Sequence, residues 1–224
     1  MLSRKKNYLQ VALNSTLSEA HNIIQRLPQS DRILIEAGTP LIKTFGSEAI
    51  SSLYRWWQAR LWGQDILPYV VADLKAMDRG GREVAIAREA GASAVVALGQ
   101  APLETLDAFV ASCQEASLDS MIDMMNVDQP IKILRRLKKL PTVVILHRGV
   151  DEETFNRSKP IPYIQINKVR ASFDVLISIA GGDTIREVQR AIFNDANIVV
   201  VWKEFYSSTS QTGELAEAFL KEVK

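Results

Sequence analysis

Eight short apolar segments alternate with amphipathic segments along the chain, and this alternation limits the possible fold more than any other feature of the sequence. The apolar segments, rich in β-branched residues, span residues 9–13, 32–36, 69–74, 94–98, 120–124, 142–147, 175–179 and 198–201. Segments with helical periodicity lie between most of them, at residues 15–26, 47–61, 80–89, 103–115 and 128–138. Strands that alternate with helices are typical of parallel βαβ units, and eight units favour a closed barrel over an open sheet. We therefore predict an α/β fold, a single (β/α)8 TIM barrel, in one domain over residues 1–224.

Residues 157–172 interrupt the pattern after the sixth strand. They contain Pro160 and Pro162, and we interpret them as a poorly helical connection. Long irregular connections at the carboxyl ends of barrel strands often cover a site.

Charge and cysteine content exclude several classes of partner. The chain has 27 Lys and Arg against 26 Asp and Glu, which gives a net charge of +1 and predicts no nucleic-acid partner and no anionic membrane surface. Its single cysteine, Cys113, allows no intrachain disulfide, which agrees with a reducing cytoplasm. No apolar run is long enough to span a bilayer, and no long apolar segment follows the basic residues at the start, so we expect a cytoplasmic protein without a signal peptide.

Polar side chains and glycines end or follow the predicted strands at their carboxyl ends, where barrel enzymes carry their active sites. These candidate site residues are Asn14, Glu36, Asp73, Lys75, Asp78, Asn126, His147, Arg148, Gly181 and Gly182. Because a soluble barrel needs none of them there in order to fold, we predict a charged, substrate-binding site at this face of the barrel.

Asp73 and Lys75 end the third strand and point to the same side, because side chains alternate along a strand. Asp78 follows three residues later, so the spacing predicts an acid, a base and an acid in a small volume. Paired burial would keep Lys75 charged and fixed, which suits stabilisation of a developing enediolate or carbanion. A simple stabilising ion-pair cluster is the alternative.

Glu36 and Asp73 end neighbouring strands, whose backbones lie roughly 5 Å apart. Two carboxylates at that spacing, with room for water and substrate, suit Mg²⁺. The sequence therefore predicts a magnesium site, the alternative for Glu36 being a salt bridge to Lys75 or Lys43.

Each of two further features of the sequence has both a functional and a structural interpretation. His147 ends the sixth strand on the inward face, where an imidazole is suited to proton transfer near neutral pH, although a structural role remains open. Gly181 and Gly182 lead into a helix, where backbone amides form an anion site or simply a tight turn.

These motifs resemble those of the orotidine 5′-monophosphate decarboxylase superfamily. Residues 73–78 read Asp-Leu-Lys-Ala-Met-Asp and match its D-x-K-x-x-D signature. Residues 36–43 read Glu-Ala-Gly-Thr-Pro-Leu-Ile-Lys and resemble the branch that contains hexulose-6-phosphate synthase and 3-keto-L-gulonate-6-phosphate decarboxylase. The similarity runs in order over nearly the whole chain.

The resemblance implies a homodimer with a sugar-phosphate site at the subunit interface, where Asp78 reaches the site of the partner subunit. It implies Mg²⁺ held by Glu36 and Asp73, and an enediolate stabilised by the metal and by Lys75. For a hexulose-6-phosphate synthase, the reaction is reversible addition of formaldehyde to ribulose 5-phosphate, with His147 as our candidate for the base.

Two departures from the family pattern concern the substrate. Asn14 stands where relatives usually have aspartate at the end of the first strand. After the eighth strand, Trp202 and Lys203 replace the Gly-Arg pair that clamps phosphate in relatives, so Lys203 is the candidate phosphate cation here, although lysine lacks the bidentate fork of arginine. These changes leave three functions open: an aldehyde-lyase, a decarboxylase of 3-keto-L-gulonate 6-phosphate or orotidine 5′-phosphate, and a diverged barrel with another ligand. The implied metal disfavours orotidine 5′-phosphate, whose decarboxylation needs none.

Overall fold

Strands and helices alternate throughout the computed structural model, which describes residues 1–156, 158–207 and 209–223. The strands are β1 Tyr8–Leu13, β2 Ile33–Ala37, β3 Val70–Ala76, β4 Ala94–Leu98, β5 Asp119–Asp123, β6 Val143–His147, β7 Leu176–Ala180 and β8 Ile198–Val201. The helices are α1 Leu17–Ile24, α2 Thr39–Phe45, α3 Ser47–Arg60, α4 Gly80–Glu89, α5 Leu103–Glu115, α6 Pro130–Leu134, α7 Val150–Phe155, α8 Tyr163–Arg170, α9 Ile185–Phe193, α10 Lys203–Ser207 and α11 Thr212–Glu222, with a 3-10 turn at Thr209–Gln211. All eight predicted strands are confirmed, each within two residues of its predicted bounds.

The strands close into a parallel barrel in chain order, because β1 pairs with both β2 and β8. The prediction of a single (β/α)8 barrel is therefore confirmed. None of the helices in the described part of the chain is long and apolar enough to cross a bilayer.

Alternate residues of each strand face opposite sides of the barrel wall. Leu9, Ile35 and Ala72 pack outward against the helices. The inward-facing residues form a separate cluster that includes Tyr8, Leu34, Val71, Val96, Met121, Val143, Ile145 and Ile198. This alternation determines which polar residues near the strand ends project into the barrel.

The connection after β6 is more helical than predicted. Arg157 lies outside the described residues, but Tyr163–Arg170 forms α8, with Pro162 as its N-cap residue. Proline is tolerated at a helix start, because the amide that it lacks has no partner there. Tyr163, Ile166 and Val169 are buried at helical spacing, and this packing favours the helix over the irregular connection.

The helix predicted over residues 128–138 is shorter than expected, because α6 ends at Leu134. The basic residues that follow repel one another at helical spacing, which weakens a continued helix. The backbone N–H of Lys138 instead donates to Asp107 Oδ1 at 2.8 Å.

Candidate active site

A cavity of about 730 Å³ opens at the carboxyl ends of the strands, the face where barrels carry their active sites. Its wall includes eight of the predicted site residues, namely Asn14, Glu36, Asp73, Lys75, Asn126, His147, Arg148 and Gly181. The structure therefore brings together residues of β2, β3 and β6 and of the loops that follow β1, β5, β6 and β7.

Lys75 lies between two carboxylates inside the cavity. Its Nζ is 3.1 Å from Asp73 Oδ2 and 2.9 Å from Asp123 Oδ2. Burial by itself lowers the pKa of Lys75, but Asp73 and Asp123 outweigh it and raise the pKa above its usual range. The Lys75 ammonium is thus held charged and in one position.

An irregularity in the backbone of β3 determines where the side chain of Lys75 points. The pairing of β3 with β4 shifts register between Ala72 and Ala76, and Lys75 has a φ of 47°. A left-handed conformation at a residue other than glycine costs about 1–3 kcal/mol, and such strain is often found at functional sites.

Within this chain, the second acid beside Lys75 is Asp123, and not Asp78 as the sequence spacing suggested. Asp78 lies beyond the register shift, in the exposed loop before α4. Asp123 is 1% exposed, and it also lies beside His147, whose Nδ1 is 2.8 Å from Asp123 Oδ2. Although burial lowers the pKa of His147, the Asp123 carboxylate raises it overall.

Glu36 lies on the inner wall with its carboxylate close to polar groups of β1 and β3. Gln10 Nε2 donates to Glu36 Oε2 at 2.5 Å. Burial, and then the negative charge of Asp73, raise the pKa of Glu36 to about 7.

The pair formed by Glu36 and Asp73 fits a hard divalent cation, because repulsion between the two carboxylates would be relieved by a positive charge. No three His, Cys, Asp or Glu side chains converge as metal ligands among the residues that the structure describes. The protein could therefore supply two oxygen ligands, and water and substrate the others.

The remaining predicted site residues of the wall come from loops. Asn14 is packed so closely against Gly38 that a Cβ on that glycine would lie 1.9 Å from Asn14 Oδ1. Asn126 has a φ of 56°. Arg148 Nη2 donates to the carbonyl oxygen of Gly181 at 2.6 Å, which joins the loops after β6 and β7.

Two predicted substrate-binding residues are not part of the cavity wall. Gly182 is buried against Ile161 and Glu187. Lys203 is turned toward Glu153, with which its ammonium forms an ion pair. The prediction that Lys203 acts as the phosphate cation therefore lacks support from this geometry.

Sequence reasoning missed Gln10, Thr39 and Asp123 as wall residues. Thr39 Oγ1 lies 2.8 Å from Asp73 Oδ2 and helps to orient it. A signal for Asp123 was present, because it is two residues from the inward-facing Met121 and must share its face. The predicted fifth strand ended at Met124, and the first polar residue beyond that end is Asn126.

Fold and site together define a (β/α)8 barrel with a charged cavity at the carboxyl ends of its strands. Residues 7–217 match the Orotidine 5′-phosphate decarboxylase / HUMPS family, and the chain belongs to that family. The bifunctional enzyme Fae/Hps of Methanocaldococcus jannaschii is 37% identical over 217 residues, which cover 96% of this chain and 52% of that protein. The chain thus spans about half the length of the curated relatives it matches.

Solved structures share the barrel at lower identity. The 3-hexulose-6-phosphate synthase of Salmonella typhimurium has a TM-score of 0.81 at 24% identity, over 96% of this chain and 99% of that one. The 3-keto-L-gulonate-6-phosphate decarboxylase of Vibrio cholerae has a TM-score of 0.76 at 22% identity, over 97% of both chains. These structures support the fold.

Proposed function

We propose that the chain is an aldehyde-lyase of the hexulose-6-phosphate synthase type. It would add formaldehyde, through an enediolate, to ribulose 5-phosphate or to a pentulose of the same carbon skeleton. The observation that carries this proposal is the position of Lys75, fixed between Asp73 and Asp123 in a cavity that also contains Glu36 and His147.

The proposed reaction begins with removal of a proton from the sugar carbon beside the carbonyl group. His147 accepts this proton, and Asp123 stabilises the imidazolium that forms. One negative charge then develops on the former carbonyl oxygen of the enediolate, where the Lys75 ammonium stabilises it.

The enediolate carbon next forms a bond to the carbon of formaldehyde. The formaldehyde oxygen takes the electron pair of its own carbonyl bond and receives the proton from His147. The product is a ketose with one more carbon, and the proton count balances because His147 returns to its starting form.

Mg²⁺ is part of the proposal, with Glu36 and Asp73 as the residues that would hold it. When bound, it would supply positive charge beside the enediolate oxygens. Gln10 would orient Glu36 through its amide, and Thr39 would orient Asp73 through its hydroxyl.

A homodimer is also part of the proposal. Asp78 and Met77 lie exposed in the loop after β3, and Met77 is 44% exposed. A second copy of the chain that packs on this loop would cover Met77 and bring Asp78 to the cavity of its partner.

A decarboxylase of 3-keto-L-gulonate 6-phosphate is the second candidate. Loss of CO₂ from a β-keto acid also leaves an enediolate, and the same Lys75 between two carboxylates would stabilise it. Release of CO₂ from this substrate, without consumption of formaldehyde, would favour the decarboxylase.

Formaldehyde consumption with ribulose 5-phosphate and with ribulose tests the first candidate, each measured with and without magnesium. We expect magnesium-dependent consumption that falls by about 10³-fold or more in Lys75→Ala. Lys132→Ala, which removes an exposed lysine from α6, should retain wild-type activity.

Circular dichroism of both variants checks that they are folded. Wild-type activity in a folded Lys75→Ala variant would remove Lys75 from the mechanism. No consumption of formaldehyde with either sugar, in a folded and magnesium-loaded protein, would defeat the aldehyde-lyase proposal.

A further inference from the structure

Backbone N–H groups at the ends of β7 and β8 are bound by carboxylates of the protein itself. The N–H groups of Trp202 and Lys203 donate to Asp183 Oδ1 at 2.8 and 3.1 Å. Those of Asp183 and Thr184 donate to Glu187 Oε2 at 3.0 and 3.1 Å. Barrels commonly bind phosphate with backbone N–H groups in this region. Both sets of donors are therefore already occupied by an anion.

Two cations near these strand ends are also paired with carboxylates. Lys203 Nζ forms an ion pair with Glu153 and lies 3.9 Å from Asp183 Oδ2. Arg148 Nη2 lies 3.7 Å from Glu153 and 3.8 Å from Glu187. Three carboxylates and two cations leave this group with a net charge of −1 when all are ionised. A phosphate ester carries about −1.5 to −2 at pH 7, so its entry is opposed by like charge.

The indole of Trp202 forms part of the cavity wall at the end of β8. Lys203 Nζ lies 5.5 Å from the centre of this ring. An indole offers a broad apolar face and one N–H donor, which suits the C–H and hydroxyl groups of a sugar better than a doubly charged ester.

We propose that Asp183 is a specificity-determining residue that excludes a phosphate ester from this end of the cavity, so that the chain prefers a ketose with an uncharged terminal hydroxyl. Asp183, which is 8% exposed, takes the place of the ester on the backbone donors of Trp202 and Lys203. Glu153 keeps the Lys203 ammonium from acting as a counter-ion. The type of sugar rests on the proposed function, whereas the discrimination against phosphate rests on Asp183.

Titration calorimetry with ribulose, ribulose 5-phosphate and inorganic phosphate tests this proposal on the magnesium-loaded protein. Asp183→Ala frees the two backbone N–H groups, whereas Asp183→Asn removes the charge and keeps an oxygen for them. We expect wild type to bind ribulose at least as tightly as ribulose 5-phosphate. Asp183→Ala should gain about tenfold in affinity for ribulose 5-phosphate and for inorganic phosphate, and Asp183→Asn should gain less. The affinity for ribulose should change by less than about twofold in both variants.

Two further variants make the test specific. Glu153→Gln releases Lys203 and should also strengthen binding of ribulose 5-phosphate. Asp107→Ala is the matched control, because Asp107 also accepts a backbone N–H, from Lys138, but does so on the outside of the barrel. Asp107→Ala should keep the wild-type preference.

Three outcomes would overturn the proposal. One is wild-type protein that binds ribulose 5-phosphate about tenfold more tightly than ribulose. Another is a preference that is the same in wild type, Asp183→Ala and Asp183→Asn. The third is absence of binding of all three probes by wild type and every variant.

Formaldehyde consumption, measured in parallel, separates this proposal from the proposed function. A switch in binding preference without consumption of formaldehyde would support the role of Asp183 and defeat the aldehyde-lyase. Formaldehyde could instead be consumed faster with ribulose 5-phosphate than with ribulose, with no change in this preference in Asp183→Asn. That result would support the aldehyde-lyase and refute the role of Asp183.

Discussion

Asp123 links the two groups on which the proposed reaction depends. Its Oδ2 contacts both Lys75 Nζ and His147 Nδ1, and its Oδ1 accepts the backbone N–H of Met125 at 2.9 Å. Burial alone would raise the pKa of Asp123, but His147 and Lys75 lower it below the usual range. Asp123 therefore stays ionised and favours the charged form of both neighbours.

Replacement of this carboxylate by an amide tests its effect on His147. In Asp123→Asn, we expect the pKa of His147 to fall, because the negative charge that raises it is removed. Turnover should fall by about 10²-fold or more, since the imidazolium loses its partner. The chain has two histidines, so NMR titration of the imidazole signals can follow His147 with His21 as an internal reference.

The sign of the pH dependence follows from the direction of this shift. Because the folded protein raises the pKa of His147 above 6.5, protonated His147 stabilises the fold below that pH, and this contribution is lost as the pH rises through the folded-state pKa. Asp107→Asn, on the outside of the barrel, should leave the His147 signal unchanged. A His147 pKa that is equal in wild type and Asp123→Asn would refute the pairing.

At the scale of elements, the turn after β7 holds the loop after β6 in place. Gly181 has a φ of 101°, and a Cβ there would lie 2.3 Å from the carbonyl oxygen of Arg148. Gly181 also accepts a hydrogen bond from the Arg148 side chain. The turn thus needs glycine both for its conformation and for the close approach of two backbones.

Gly181→Ala should lower the free energy of unfolding by about 3 kcal/mol or more, because backbone strain and a backbone clash add together. Gly63→Ala is the matched control: Gly63 has a φ of 83°, but a Cβ there meets nothing within 4 Å. This control should cost about 1 kcal/mol, from strain alone. Urea unfolding of both variants gives the comparison, and equal losses would mean that the contact with Arg148 is unimportant.

The strands could be predicted from the sequence because each is an apolar run bounded by polar or turn-forming residues. The helix α8 could not, since Pro160 and Pro162 suggest a loop until the burial of Tyr163 and Ile166 is known. The length of α6 likewise depends on a contact between Lys138 and the distant Asp107. In both cases, tertiary contacts override the secondary structure that the local sequence favours.

The candidate site likewise contains residues that could be located from the sequence and contacts that could not. Charged residues at strand ends, such as Glu36 and Lys75, stand out from an apolar background and could be located from the sequence. The pairing of Asp183 with the backbone of Trp202 and Lys203 could not, because it joins residues 19 and 20 positions apart across two strand ends.

At the scale of the whole molecule, the position of Asp78 bears on how many subunits complete a site. Lys75 lies inside the cavity, whereas Asp78 is exposed beyond the register shift of β3 and is absent from the cavity wall of its own subunit. If Asp78 serves the cavity of a partner subunit, each site draws Lys75 from one chain and Asp78 from the other.

Mixing two inactive variants tests this shared site. Lys75→Ala and Asp78→Ala should each be inactive alone, and each should run as a dimer in size-exclusion chromatography with light scattering. After joint refolding in equal amounts, half of the dimers contain one copy of each variant, and symmetry gives each of these one intact site. We therefore expect about a quarter of the wild-type activity to return. A mixture that stays inactive although mixed dimers form, or an Asp78→Ala variant with full activity, would place the complete site within one subunit.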